Sequence, residues 1–267
     1  MTHSTPGAVI LGASSGFGEA AATIFGEAGY DIYGIHLDRR AGLQHVEEIK
    51  SKIKSVGQRA VFHNINAAAA DKREMVLDEI SETANSGSVR ILLHSLAFGT
   101  LLPFLDAKAK TVSSDQMNMT LDVMAHSLVY WTQGLVKREL MGPGGRIFAM
   151  TSSGGDRVMP AYGAVSAAKA ALESHCRQLA MELACSEITV NAIRAGVTDT
   201  PALRKIPGAE DMIAAASAQN PHGRLTTPED VARCMVALAQ PETAWMTGNT
   251  IRVDGGEDFV GSGPSHT

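Results

Sequence analysis

The chain has 267 residues, of which 45% are hydrophobic, 19% charged and 5% aromatic, and its formal net charge is −5. That length and apolar fraction suit a packed domain and exclude a disordered or fibrous chain. The negative balance argues against a nucleic-acid or anionic-membrane partner. Cys176, Cys185 and Cys234 have no metal-ligand spacing and read as reduced thiols of a cytoplasmic protein. No apolar run is long enough to span a bilayer. The first seven residues lack the charged and apolar regions of a signal peptide.

In chain order, residues 8–12 (AVILG) form a short apolar run closed by glycine, which predicts a buried parallel strand. A helix is expected over 17–28, a strand over 31–36, and a helix over 43–56 that Gly57 stops. A strand at 60–64, a helix at 71–84 and a strand at 90–94 follow. Residues 113–140 read as one long helix with Ser113, Ser114 or Asp115 as N-cap. A strand at 147–151, an alanine-rich helix from 162 or 163 to 184, and a strand at 188–193 come next. Pro228 opens a helix that runs to 239, and 249–253 is the last strand. Repeated strand–helix units over the whole length predict an α/β fold. It is one doubly wound parallel sheet of about seven strands with helices on both faces, in a single domain over 1–267. Residues 259–267 read as a frayed tail.

The first strand runs into Gly12-Ala13-Ser14-Ser15-Gly16-Phe17-Gly18 and then a helix. A strand–glycine turn–helix unit brings backbone N–H groups and a positive helix end against a pyrophosphate. The same glycines would also serve a tight turn needed only for packing. At the end of the second strand, an acidic residue would accept bonds from the ribose hydroxyls of NAD. That position holds His36, and Arg39 and Arg40 follow, able to grip a 2′-phosphate. Asp38 argues the other way, and a solvated charge run is the plain alternative. Ser152 follows the fifth strand at its ligand-binding end, and Tyr162 and Lys169 lie seven apart, two helical turns on one face. A lysine ammonium beside a phenol lowers the phenol's pKa and can hold a ribose. The nine histidines show no metal spacing, and no metal site is expected.

Together these pieces resemble the short-chain dehydrogenase/reductase family. The resemblance rests on the glycine turn, Ser152, Lys169-Ala-Ala-Leu172, Val190-Asn-Ala-Ile193 and Val253-Asp-Gly-Gly256, and spans about residues 9–256. It implies a Rossmann-type fold. Ordinary members carry tyrosine four residues before the lysine, where this chain has Val165. The Tyr162-x6-Lys169 spacing resembles the enoyl-acyl-carrier-protein reductases, as do His94-Ser-Leu-Ala97, Asp122-Val-Met-Ala-His-Ser-Leu128 and Asn191-Ala-Ile-Arg-Ala-Gly196. The relay asparagine of ordinary members would fall at Met124. The GxxxGxG turn is similar to a less common branch of those reductases that prefers NADPH.

The resemblance implies that Tyr162 bonds the enolate oxygen, that Lys169 holds the nicotinamide ribose, and that Ser152 orients the thioester or merely satisfies the strand end. It implies nucleotide contacts at Gly12, Ser14, Ser15, Gly16, Phe17, Gly18, His36, Arg39 and Arg40. Further contacts are implied at Asn64, Ile65, Ser95, Leu96, Ala97, Gly196 and Val197, with Thr198 and Thr200 on the nicotinamide amide and phosphates. Residues 197–220 would cover the substrate. Leu96, Phe98, Leu101, Leu102 and Phe104 suit an acyl chain or core packing equally. Arg204 and Lys205 could meet an acidic acyl carrier protein or stay solvated. His94 reads as a residue supporting backbone beside the cofactor. The long helix and last strand resemble the family's tetramer surfaces. The expectation is therefore an NADPH-dependent enoyl reductase acting on a carrier-bound thioester, as a homotetramer. The alternatives are a reductase or dehydrogenase of a carbonyl or alcohol, such as a 3-oxoacyl thioester, and a nucleotide-sensing regulatory protein without turnover.

Overall fold

The computed structural model describes residues 5–260. Expectations about residues 1–4 and 261–267 lie outside the described residues. Of the expected frayed tail, Phe259 and Val260 are described, and the Gln219 amide donates to the Val260 carbonyl at 2.9 Å.

Seven parallel strands form one sheet in the order β3-β2-β1-β4-β5-β6-β7. They are β1 (Gly7–Leu11), β2 (Asp31–His36), β3 (Ala60–Asn64), β4 (Val89–His94), β5 (Arg146–Thr151), β6 (Thr189–Ala195) and β7 (Thr250–Val253). The helices are α1 (Gly16–Glu27), α2 (Leu43–Ser55), α3 (Ala70–Thr83), α4 (Ser114–Leu121), α5 (Ser127–Lys137), α6 (Gly163–Glu182), α7 (Ala209–Gln219) and α8 (Pro228–Leu238). The apolar strands alternate between two cores. Val9 and Leu11 pack with α3, α5 and α6 on one face, and Ala8 and Ile10 pack with α1, α2 and α8 on the other. All five residues of β1 are buried, which is why its sequence reads as an unbroken apolar run.

The strand order reverses direction at β1. The chain winds outward to β2 and β3, then crosses back to β4 on the other side, leaving a crevice between the C-terminal ends of β1 and β4. Among the described residues no helix is long and apolar enough to cross a membrane.

The expected long helix over 113–140 is α4 and α5 joined by one π-helical turn, Asp122–His126. Ser113 is its N-cap, in a reciprocal capping box with Gln116. The π turn holds one more residue than an α turn and carries no pattern that apolar spacing can reveal.

Candidate active site

The glycine turn is shaped by what it has no room for. Gly12 lies at φ 89°, and a Cβ there would sit 2.4 Å from the Ser95 carbonyl oxygen, so the turn crosses β4's end at contact distance. A Cβ on Gly18 would lie 2.0 Å from the Gly12 carbonyl oxygen, which fixes how closely α1 approaches the turn. Gly16, at φ 54°, abuts Thr200 and so brings the start of the 197–220 segment to the turn. Ser15 is the N-cap of α1 but makes no side-chain cap. The first turn of α1 therefore has backbone donors left to offer, and this cradle fits a phosphate-bearing ligand. Ser95 and Leu96 border it, with Leu96 Cδ2 3.6 Å from that Gly12 Cβ position.

At the end of β2, His36 is buried and its Nδ1 lies 2.9 Å from Asp38 Oδ2. Asp38 is also held by Asn64, whose side chain accepts from the Asp38 amide and donates to its carbonyl, both at 2.9 Å. Asn64 is thus spent on bracing this corner, and Ile65 packs into the core beside it. The Asp38 carboxylate turns inward to His36. Arg39 and Arg40 are exposed, and neither pairs with an acid among the described residues.

Tyr162 is the residue before α6, placed there by Ala161, which sits at φ 59°. That left-handed backbone costs a non-glycine residue roughly 1–2 kcal/mol and stores strain beside the phenol. The ring is only 7% exposed, in a nest with Val123, Met124, Val165, Leu101, Met159 and Ile206. Its hydroxyl lies 3.5 Å from Ser152 Oγ, a long contact, while Ser152 Oγ accepts from the Gly154 amide at 3.1 Å. Burial pushes the phenol's pKa up, and the Ser152 contact offsets part of that.

Lys169, 6% exposed, donates from Nζ to the Met150 carbonyl on β5 at 2.7 Å. Burial lowers its pKa to about 8 against the pull of Glu173. The expectation that Lys169 lowers the phenol's pKa is not met. Tyr162 is pushed up by burial, and Ser152 is the side chain that opposes the rise. The phenol therefore stays protonated at neutral pH.

His94 is fully buried and reaches Ser127 Oγ at 2.8 Å, and that hydroxyl donates to the Val123 carbonyl in the π turn. Its support of backbone thus runs through Ser127, and burial drives its pKa down to about 3, so the imidazole is neutral.

The 197–220 segment forms a short 3-10 turn, Leu203–Lys205, and α7. Thr198 donates to the Gly196 carbonyl at 2.9 Å, and Thr200 Oγ1 accepts from the Leu203 amide at 3.2 Å. The Val197 amide donates to Glu257, 3.1 Å from one carboxylate oxygen and 3.2 Å from the other, so that backbone donor is already engaged. Glu257 follows the Asp254-Gly255-Gly256 motif, and nothing in the sequence marks it as a partner of Val197. Arg204 is taken by Asp199 at 2.6–2.7 Å, while Lys205 is exposed. The apolar set after β4 divides: Leu96 and Leu101 join the Tyr162 nest, and Phe98 and Phe104 are exposed, with the Phe104 ring against Gly163.

A family model described as enoyl-(acyl carrier protein) reductase matches residues 12–257. The chain belongs to this enoyl-reductase-like branch of the short-chain dehydrogenase/reductase family. It is an oxidoreductase of that family. An NADH-dependent enoyl-[acyl-carrier-protein] reductase of Aquifex aeolicus is 32% identical over 66% of this chain and 65% of its own length, so the matched part spans just under two thirds of that relative. An NADPH-dependent aldehyde reductase-like protein of Arabidopsis thaliana is 28% identical over 93% of each chain. The solved structure of the enoyl reductase from Aquifex aeolicus VF5 superposes with a TM-score of 0.82, 26% identity, and coverage of 97% of this chain and 98% of that one.

Proposed function

We propose that the protein reduces trans-2-enoyl thioesters, carried on an acidic acyl carrier protein, with NADPH as the preferred reductant. The observation that carries this reading is the position of the only phenol in the nest. Tyr162 stands seven residues before Lys169, buried and protonated, while position 165 is an apolar valine. In a ketone the atom attacked bears the oxygen; in an enoyl thioester C3 is attacked and charge gathers on the C1 oxygen, two bonds away. A donor set back by about one helical turn suits the second case.

A nicotinamide nucleotide, when bound here, would supply the hydride. The glycine cradle and the first turn of α1 hold its phosphates. Arg39 and Arg40, without an acidic partner among the described residues while Asp38 is turned to His36, favour a 2′-phosphate. Tyr162 donates a hydrogen bond to the thioester oxygen as charge develops there, in an apolar nest where such a bond is strengthened, and water supplies the proton that C2 takes up. Lys169 keeps an ammonium beside the site, and its donors left over from the Met150 carbonyl would hold the ribose hydroxyls. Residues 197–220 cover the acyl chain.

Carbonyl reduction is the second reading, favoured by the Ser152–Tyr162 contact and by the full-length similarity to an aldehyde reductase-like protein. Crotonoyl and acetoacetyl thioesters separate the two. Loss of nicotinamide absorbance with crotonoyl and not acetoacetyl is expected; the reverse overturns the proposal. Nucleotide binding without turnover over a broad substrate panel would favour a regulatory protein.

A further inference from the structure

Val190, Ala192 and Arg194 alternate along β6 on the face that α6 covers. Val190 and Ala192 fill the core; Arg194, 7% exposed, carries a guanidinium into the same layer at the ligand end of the sheet. There it meets carboxylates from three separate segments: Asp156 at 2.9 Å, Glu173 at 3.7 Å and Asp258 at 3.7 Å. Asp258 also faces Arg157 at 3.2 Å and Arg252 at 3.8 Å, and the Thr151 hydroxyl donates to Glu173 at 2.7 Å. Three guanidinium groups and three carboxylates balance.

A buried ion cluster is weak evidence for stability, since apolar packing often does as well. Its placement argues for a role in the site. Asp156 closes the short turn that Ser152 opens. A Cβ on Gly154 would lie 2.5 Å from the Tyr162 ring, and one on Gly155 would lie 3.4 Å from Lys169 Cβ and 3.7 Å from Glu173 Oε1. The turn 152–156 is therefore wedged between the phenol on one side and Lys169 with Glu173 on the other. Arg194 grips both the turn's far end and the carboxylate one helical turn beyond Lys169.

We propose that Arg194 is a positioning residue: through Asp156 it fixes the turn that sets Ser152 against Tyr162, and through Glu173 it sets the charge around Lys169. The proposal rests on the reading of Tyr162 and Lys169 as the working pair of the site. Facing Lys169 are Glu173 from its own helix, which favours the ammonium, and His94 from β4, which burial keeps neutral. Arg194 neutralises Glu173. Without it, the bare carboxylate holds the Lys169 proton more tightly; without Glu173, the unpaired Arg194 guanidinium adds to burial and the proton leaves sooner.

The test is an NMR titration of Lys169 in nucleotide-free protein with 13C-labelled lysine, the signal assigned with Lys169→Met. Arg194→Met is expected to raise the Lys169 midpoint by about one pH unit, and Glu173→Gln to lower it by about as much. The double variant is expected near the wild-type midpoint. Arg194→Lys keeps a cation and is expected to hold that midpoint and most of the turnover. Asp156→Asn is expected to cut kcat about tenfold at unchanged KM while leaving the titration in place. A wild-type midpoint in Arg194→Met, or a midpoint in Arg194→Lys shifted as much as expected for Arg194→Met, overturns the electrostatic half. Wild-type kcat in Asp156→Asn overturns the anchoring half. Because the titration is read without substrate or nucleotide, it fails or succeeds separately from enoyl reduction.

Discussion

The two halves of the sheet's ligand edge are built by opposite means. At the end of β1 the shape comes from missing side chains. Gly12 and Gly18 let backbone touch backbone, and the Cβ positions they leave empty would lie 2.4 and 2.0 Å from carbonyl oxygens. Along β5, β6 and β7 the shape comes from long charged side chains that bridge distant segments, with Arg194 at the centre. Backbone contact gives a rigid floor suited to a constant group such as pyrophosphate. Ionic ties between segments give a wall whose shape rests on long, adjustable side chains.

The sharpest way to break the comparison is at the floor. Gly18→Ala is expected to be the most damaging single change. Its methyl meets backbone that cannot move aside, so nucleotide binding by calorimetry is lost and the melting temperature falls as for a cost of about 3 kcal/mol or more. At the wall, Tyr162→Phe is expected to lower turnover about 10²–10³-fold while NADPH affinity holds, since the phenol acts on charge that forms only in the transition state. Arg39→Ala and Arg40→Ala are each expected to weaken NADPH by roughly 1.5–3 kcal/mol and to leave NADH little changed, read as the ratio of the two dissociation constants. Equal loss with both nucleotides would remove the 2′-phosphate assignment.

The smallest effect concerns stability and pH. Burial holds the Lys169 pKa at about 8 in the fold, below the ordinary lysine value of 10.5. Between those values the unfolded chain binds more protons, so this group makes stability rise with pH through that window and withdraws it as pH falls through about 8. Lys169→Met should flatten the melting temperature against pH over that span relative to wild type. A parallel pair of curves would contradict the buried, depressed lysine.

Local signals carried the strands well. The expected bounds of β2 and β3 coincide with those observed, because their apolar runs end at turn residues that local chemistry dictates. The glycine turn and the Tyr162–Lys169 spacing were legible for the same reason. What escaped the sequence depends on contacts between remote segments. The π turn at Asp122–His126 adds one residue without changing the apolar pattern. The inward turn of Asp38 depends on Asn64, 26 residues away. The Val197–Glu257 bond and the contacts of Arg194 with Asp156, Glu173 and Asp258 join residues 21 to 64 positions apart, where spacing holds no information. Burial also reversed the sign expected for the Tyr162 phenol, because desolvation is set by the whole nest and not by the nearest lysine in sequence.

The central claim, that the donor's setback selects an enoyl thioester, is tested most directly by moving the phenol. Tyr162→Phe combined with Val165→Tyr restores the spacing of ordinary family members. NADPH oxidation would be followed with crotonoyl and acetoacetyl thioesters, beside Tyr162→Phe alone. The account predicts that the double variant stays as slow as the single one on crotonoyl thioester, because its donor then stands where a ketone oxygen belongs. Full crotonoyl reduction by Tyr162→Phe alone, or its recovery in the double variant, would contradict it.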